Sequence, residues 1–143
     1  MRAALAEAHR ASGSGDVPIG AVVLDAAGAT VGAGHNVRER DGDPTGHAEV
    51  VALRAAAASV GEWRLSGCTL VVTLEPCTMC AGAAVLARVE RLVFAAYDDK
   101  AGAVGSLWDV VRDRHLNHRP EVVAGVLAEE SAALLDGFFR SQR

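Results

Sequence analysis

Thr69-Leu70-Val71-Val72-Thr73-Leu74-Glu75-Pro76-Cys77-Thr78-Met79-Cys80-Ala81-Gly82-Ala83-Ala84-Val85-Leu86-Ala87 changes character in its middle. Thr69 to Leu74 is a run of β-branched and apolar residues, the pattern of a buried strand. From Cys77 to Ala87 the chain turns to Ala, Met, Val and Leu, which favours helix. Pro76 suits the junction, because its missing N–H would be unpaired in a first helical turn and its φ is already helical. Outward from this unit, His47 to Val60 is strongly helical and Arg91 to Ala96 reads as a strand, so the middle alternates helix, strand, helix, strand.

The flanks complete the pattern. Arg2 to Ala11 reads as a helix ended by Ser12-Gly13-Ser14-Gly15, followed by a buried strand from Ile19 to Leu24 and a turn at Ala26-Ala27-Gly28. A strand from Thr30 to Asn36 then leads into a polar loop through Asp41-Gly42-Asp43-Pro44. Val122 to Val126 is the last strand expected, and Ala128 to Arg140 the terminal helix, with Leu134, Leu135, Phe138 and Phe139 at helical spacing. The expected fold is one α/β domain over residues 1–143, a three-layer α-β-α sandwich whose five-stranded mixed sheet carries helices on both faces.

With 143 residues and 50% hydrophobic composition, the chain is long enough for one continuous core. The start, Met1 to Arg10, lacks the apolar stretch of a signal peptide, and no apolar run reaches membrane-spanning length, so a cytoplasmic location is expected. Three cysteines without a secretion signal point to reduced thiols, metal ligands or redox chemistry rather than a disulfide framework. The formal charge of -4 disfavours binding nucleic acid through an overall positive field, so any RNA contact must rest on local basic groups.

The chemistry-bearing residues sit at two helix starts. Cys77 and Cys80, at i and i+3, project from nearly one side of a first turn, where the positive end of the helix favours thiolates. His47 and Glu49 are about 200° apart around a helix axis, so only His47 is expected to join the sulfurs as a ligand. One His and two Cys suit a catalytic Zn²⁺, one per subunit, with the fourth tetrahedral position left for water. Glu49 beside that position can take and give protons.

Other readings stand beside this one. Cys-x-x-Cys between strand and helix is also a redox arrangement, although His47-Ala48-Glu49 has no task in it. Cys68 could close a structural zinc site as a fourth ligand; at a strand start it reads more simply as a small buried residue. Phe138 and Phe139 read as core, Trp63 and Trp108 as packing at helix ends, His9 and His35 as structural or exposed. Arg112, Arg114, His115, His118 and Arg119, interrupted by Asp113, read as an ordinary solvated surface.

The chain resembles the bacterial tRNA adenosine deaminases, members of the cytidine deaminase-like superfamily with its His-x-Glu…Pro-Cys-x-x-Cys signature. The resemblance covers nearly all of it. It rests on Val17-Pro18-Ile19-Gly20-Ala21-Val22, Asp43-Pro44-Thr45-Gly46-His47-Ala48-Glu49, Thr73 to Ala83, Asp98-Asp99-Lys100-Ala101-Gly102-Ala103-Val104-Gly105-Ser106, Asn117-His118 and Leu134-Leu135-Asp136-Gly137-Phe138-Phe139-Arg140. The zinc motif identifies the superfamily; the other segments favour its tRNA branch.

The resemblance implies a cytidine deaminase-like fold and conversion of a wobble adenosine to inosine with release of ammonia. It implies that His47, Cys77 and Cys80 bind zinc, that Glu49 shuttles protons and that Asn36 hydrogen-bonds the flipped nucleoside. By the same resemblance, Asp98 and Lys100 lie in an anticodon-contacting loop, Phe139 and Arg140 are terminal-helix contacts, the partner is an anticodon stem-loop of an arginine tRNA, and the protein is a homodimer. Gly46 and Ala95 stand where the family commonly has Ala and Gly, and neither change removes a catalytic group. The chain stops at Arg143 without a longer basic tail, so a modest grip on the tRNA body is expected. The competing activities are deamination of a free base or nucleoside at the same zinc site, and zinc-dependent RNA binding without turnover.

Overall fold

The computed structural model describes residues 1–143. Along the chain run α1 (Arg2–Ser12), β1 (Gly20–Leu24), β2 (Thr30–His35), α2 (Arg38–Asp41), α3 (Ala48–Val60), β3 (Thr69–Leu74), α4 (Thr78–Leu86), β4 (Arg91–Ala96), β5 (Glu121–Ala124) and α5 (Ala128–Ser141). The strands form one sheet in the order β2-β1-β3-β4-β5. β1 is antiparallel to β2 and β3, whereas β3, β4 and β5 are mutually parallel, so the sheet is mixed as expected.

Period-2 alternation sends successive side chains to opposite faces. Ala21, Val23, Leu70, Val72, Leu92 and Phe94 meet Ala48, Ala52 and Ala56 of α3 and Ala81, Ala84 and Val85 of α4 in the larger core. Val22 and Val71 point the other way, onto Ala4 of α1. Helices therefore cover both faces, with α5 lying over β3 and β4. Its anchor is Ser131, buried to 1% exposure, whose hydroxyl donates to the Thr73 carbonyl at 2.5 Å.

The approach of α3 to β2 is set by glycine. A Cβ on Gly32 would lie 2.5 Å from the Ala52 carbonyl oxygen and 2.6 Å from the Ala56 nitrogen. Gly61 then ends α3 in the left-handed conformation at φ 81°, its N–H donating to the Ala57 carbonyl.

Several expectations are corrected. The polar loop is present from Gly42 to Pro44, but Asp41 belongs to a four-residue helix, α2, closed by left-handed Gly42. β5 stops at Ala124 because Gly125 turns the chain at φ 82°. Trp63 and Trp108 are not packed at helix ends but 57% and 61% exposed. Phe139 is 49% exposed rather than core. No helix is long and apolar enough to cross a membrane.

Candidate active site

His47 and Cys77 are the N-cap residues of α3 and α4, one position before the helices begin, and neither side chain caps its own helix. Their backbones are extended, with ψ of 149° and 177°, which turns both side chains into the space between the two helix starts. Cys80, in the first turn of α4, is fully buried behind them. His47 Nδ1 lies 3.6 Å from Cys77 Sγ and 3.4 Å from Cys80 Sγ. The three ligand atoms fall within 4.8 Å of one another.

These separations fit zinc. Tetrahedral bonds of about 2.0–2.1 Å to nitrogen and about 2.3 Å to sulfur place N and S roughly 3.6 Å apart. The donor chemistry agrees, since two thiols this close do not both ionise readily without a cation between them. Hydrogen bonding from Cys80, and less strongly from His47, holds the Cys77 thiol down to about 3 against the opposing effect of burial. The hydrogen bond to Cys77 and burial push Cys80 far the other way. Cys68 is no fourth ligand: it precedes β3 while Cys77 follows it, and six strand residues span about 20 Å.

Glu49 is the second residue of α3 and only 4% exposed. Burial pushes its carboxyl up to about 7, against the pull of its own backbone N–H and of His47. Such a group can both take and give a proton near neutral pH.

His47, Glu49 and Cys77 open into a cavity of about 540 Å³. Asn36 and Arg38 form one wall, Asp98 and Lys100 another, and Leu135 and Phe139 of α5 a third. Asn36 is 6% exposed; its amide nitrogen donates to the Val17 carbonyl at 3.3 Å and its oxygen accepts the Arg38 N–H at 3.2 Å. Each end retains hydrogen-bonding capacity, one N–H and one lone pair. Arg140 is exposed and, one residue beyond Phe139, does not line the cavity.

Residues that the sequence reading did not single out also shape the site. Arg38 lines the cavity and makes no ion pair. Asp16 is fully buried and accepts the N–H groups of Glu39 at 2.7 Å and Arg40 at 3.1 Å, which fixes α2 beside Asn36. Glu75, 2% exposed, binds the loop that carries Asp98 and Lys100. Burial opposes its charge, but the Ser106 hydroxyl and the N–H groups of Ser106, Val104 and Asp98 outweigh that and hold its carboxyl below the ordinary value. The available signal was a single carboxylate ending an apolar run, immediately before Pro76.

The zinc-binding region of the cytidine and deoxycytidylate deaminases matches residues 1–96. The tRNA-specific adenosine deaminase of Bacillus subtilis (strain 168) is 47% identical over 143 residues, which is 100% of this chain and 88% of that protein. This chain belongs to the tRNA-specific adenosine deaminase family. A solved structure from work on A-to-I editing by tRNA:A34 deaminases at the wobble position superposes with a TM-score of 0.89 at 41% identity, covering 94% of this chain and 96% of that one. The chain is also 52% identical, over its whole length, to 24% of a tRNA(Ile)-lysidine synthase of Deinococcus radiodurans. The matched zinc-binding region holds His47, Glu49, Cys77 and Cys80 but ends before Asp98, so Asp98 and Lys100 on the cavity lie beyond that region.

Proposed function

We propose that residues 1–143 act as one deaminase domain that converts the wobble adenosine of a tRNA anticodon to inosine, releasing ammonia. The observation that carries this reading is the His47, Cys77 and Cys80 cluster with Glu49 buried beside it at one cavity. Zinc held by those three side chains, one per subunit, would supply a Lewis acid that makes a water nucleophilic toward the amine-bearing ring carbon. Glu49 takes the proton that this water loses and delivers it to the adjacent ring nitrogen, then takes the proton of the newly added hydroxyl and passes it to the amine, which departs as ammonia while the carbonyl forms.

The remaining residues hold the RNA. About 540 Å³ accommodates one flipped nucleoside but no duplex, which suits an anticodon hairpin whose loop bases splay out at little cost. Asn36 offers both a donor and an acceptor to that nucleoside. Lys100 and the unpaired Arg38 meet phosphates, Asp98 accepts from a neighbouring nucleotide, and Phe139 gives a base a stacking face. Arg140 reaches the RNA from outside the cavity. The partner is an arginine tRNA stem-loop, the protein a homodimer and its location cytoplasmic.

Glu49→Gln tests the chemistry. Inosine formation on a stem-loop with a wobble adenosine should fall by roughly 10²–10⁴-fold, with zinc content unchanged. Turnover close to the wild-type rate would refute the proton-shuttle role, and zinc-loaded wild-type protein that binds the hairpin without forming inosine would favour an RNA-binding module.

A further inference from the structure

Glu75 is the last residue before the metal-binding turn, and its backbone N–H makes the 2.8 Å bond to the Ala96 carbonyl that closes the β3–β4 pairing. Its side chain leaves the sheet and enters the segment after β4. Oε1 accepts the Asp98 N–H at 3.1 Å and the Ser106 hydroxyl at 2.5 Å. Oε2 accepts the N–H groups of Val104 at 3.0 Å and Ser106 at 3.1 Å. The Ala103 N–H adds a 2.8 Å bond to the Pro76 carbonyl. One carboxylate therefore gathers a nine-residue loop onto the same junction that carries Cys77.

The loop passes this constraint on to the cavity. Asp98, held through its N–H, uses Oδ1 to accept the N–H groups of Lys100 at 3.0 Å and Ala101 at 3.2 Å, while its carbonyl accepts from Gly102 at 2.9 Å. Gly102 lets the chain close over the carboxylate, because a Cβ there would collide with Glu75 and with the Asp98 carbonyl. Asp98, Asp99, Lys100 and Ala101 are thereby set on the cavity wall facing His47 and Glu49. Glu75 borders the cavity, but at 2% exposure and with both oxygens doubly engaged it offers a substrate no free hydrogen-bonding atom.

We propose that Glu75 is a positioning residue that sets the RNA-contacting loop in register with the metal site, acting on substrate binding rather than on chemistry. The inference rests on the tRNA reading above. Glutamine at this position would turn an NH₂ either toward the Asp98 N–H, which then has no acceptor while the Ser106 hydroxyl rotates to accept, or toward the Val104 and Ser106 N–H groups, which both lose theirs. Buried donors without partners are costly, so the loop would move away.

The test is Glu75→Gln, with inosine formation on the anticodon stem-loop, zinc content, and binding of a fluorescent stem-loop by anisotropy. The expected result is a KM and a dissociation constant raised about tenfold or more, kcat within about threefold of wild type, and zinc retained. Amide exchange at Asp98, Val104 and Ser106 should accelerate by about tenfold or more, while exchange in β1 stays as in wild type. Unchanged KM and affinity overturn the proposal, as does a fall in kcat that tracks lost zinc. If wild-type protein bound the stem-loop without turnover, the deaminase reading would fall, and loss of affinity in Glu75→Gln would still support this one. Should that variant not fold, Ser106→Ala, lacking one donor, is expected to raise KM about threefold, and no change there refutes the proposal.

Discussion

Gly32→Ala places one methyl group between β2 and α3. In the present packing that methyl would lie 2.5 Å from the Ala52 carbonyl oxygen, 2.6 Å from the Ala56 nitrogen and 2.8 Å from the Ala56 Cβ. Comfortable contacts of this kind begin near 3.5 Å, so α3 must withdraw by about 1 Å. Overpacking of this sort costs about 1–3 kcal/mol, or roughly 3–10 °C in Tm for a chain of this length. The helix also carries Glu49, three residues before Ala52, and a misplacement of about 1 Å can cost on the order of 10²-fold in rate. Gly20→Ala is the control, with the closer clash of the two. Its methyl would collide with the Ala4 carbonyl and the Ala8 nitrogen of α1, on the opposite face of the sheet. Both variants should melt earlier, but only Gly32→Ala should lose inosine formation per folded, zinc-loaded chain by more than about tenfold. Calorimetry, zinc analysis and initial rates read all three quantities. A Gly32→Ala protein with wild-type Tm and rate, or a Gly20→Ala protein equally impaired in rate, would refute the claim that α3 packing sets the site.

Two further predictions concern the metal and the RNA. Bound zinc stabilises the native chain by linkage, about 2.7 kcal/mol at a hundredfold excess over its dissociation constant, so chelation should lower the wild-type Tm while leaving that of Cys80→Ala unmoved; equal responses in calorimetry would exclude Cys80 as a ligand. Arg38→Ala should weaken stem-loop binding and reduce the slope of log affinity against log salt by about 1, whereas an unchanged slope in a salt titration would remove Arg38 from the phosphate contacts.

The layer architecture and the metal cluster were legible in the sequence because each rests on local pattern. Thr69–Leu74 and Arg91–Ala96 keep the strand boundaries read from composition. His47, Cys77 and Cys80 converge because two helix starts, each legible alone, lie at the same end of one sheet. What stayed hidden depends on contacts distant in sequence. α2 is too short and too polar to show any periodicity, and it is held by Asp16, more than 20 residues before it. Phe139 looked like core because helical spacing shows that a stripe exists, not whether another element covers it. Neighbouring residues on a helix point about 100° apart, so Phe139 reaches the cavity while Arg140 does not. Glu75 carried no periodic signal at all; its importance appears only when Asp98, Val104 and Ser106 fold back onto it.

The most direct test is nucleoside mass spectrometry after incubating zinc-loaded protein with an anticodon stem-loop bearing a wobble adenosine, in parallel with free adenosine, cytidine and guanine. Inosine in the stem-loop, with the free compounds essentially untouched, is the predicted result. Conversion of a free base or nucleoside while the stem-loop remains adenosine would contradict the RNA assignment, even though the zinc chemistry at His47, Cys77, Cys80 and Glu49 would stand.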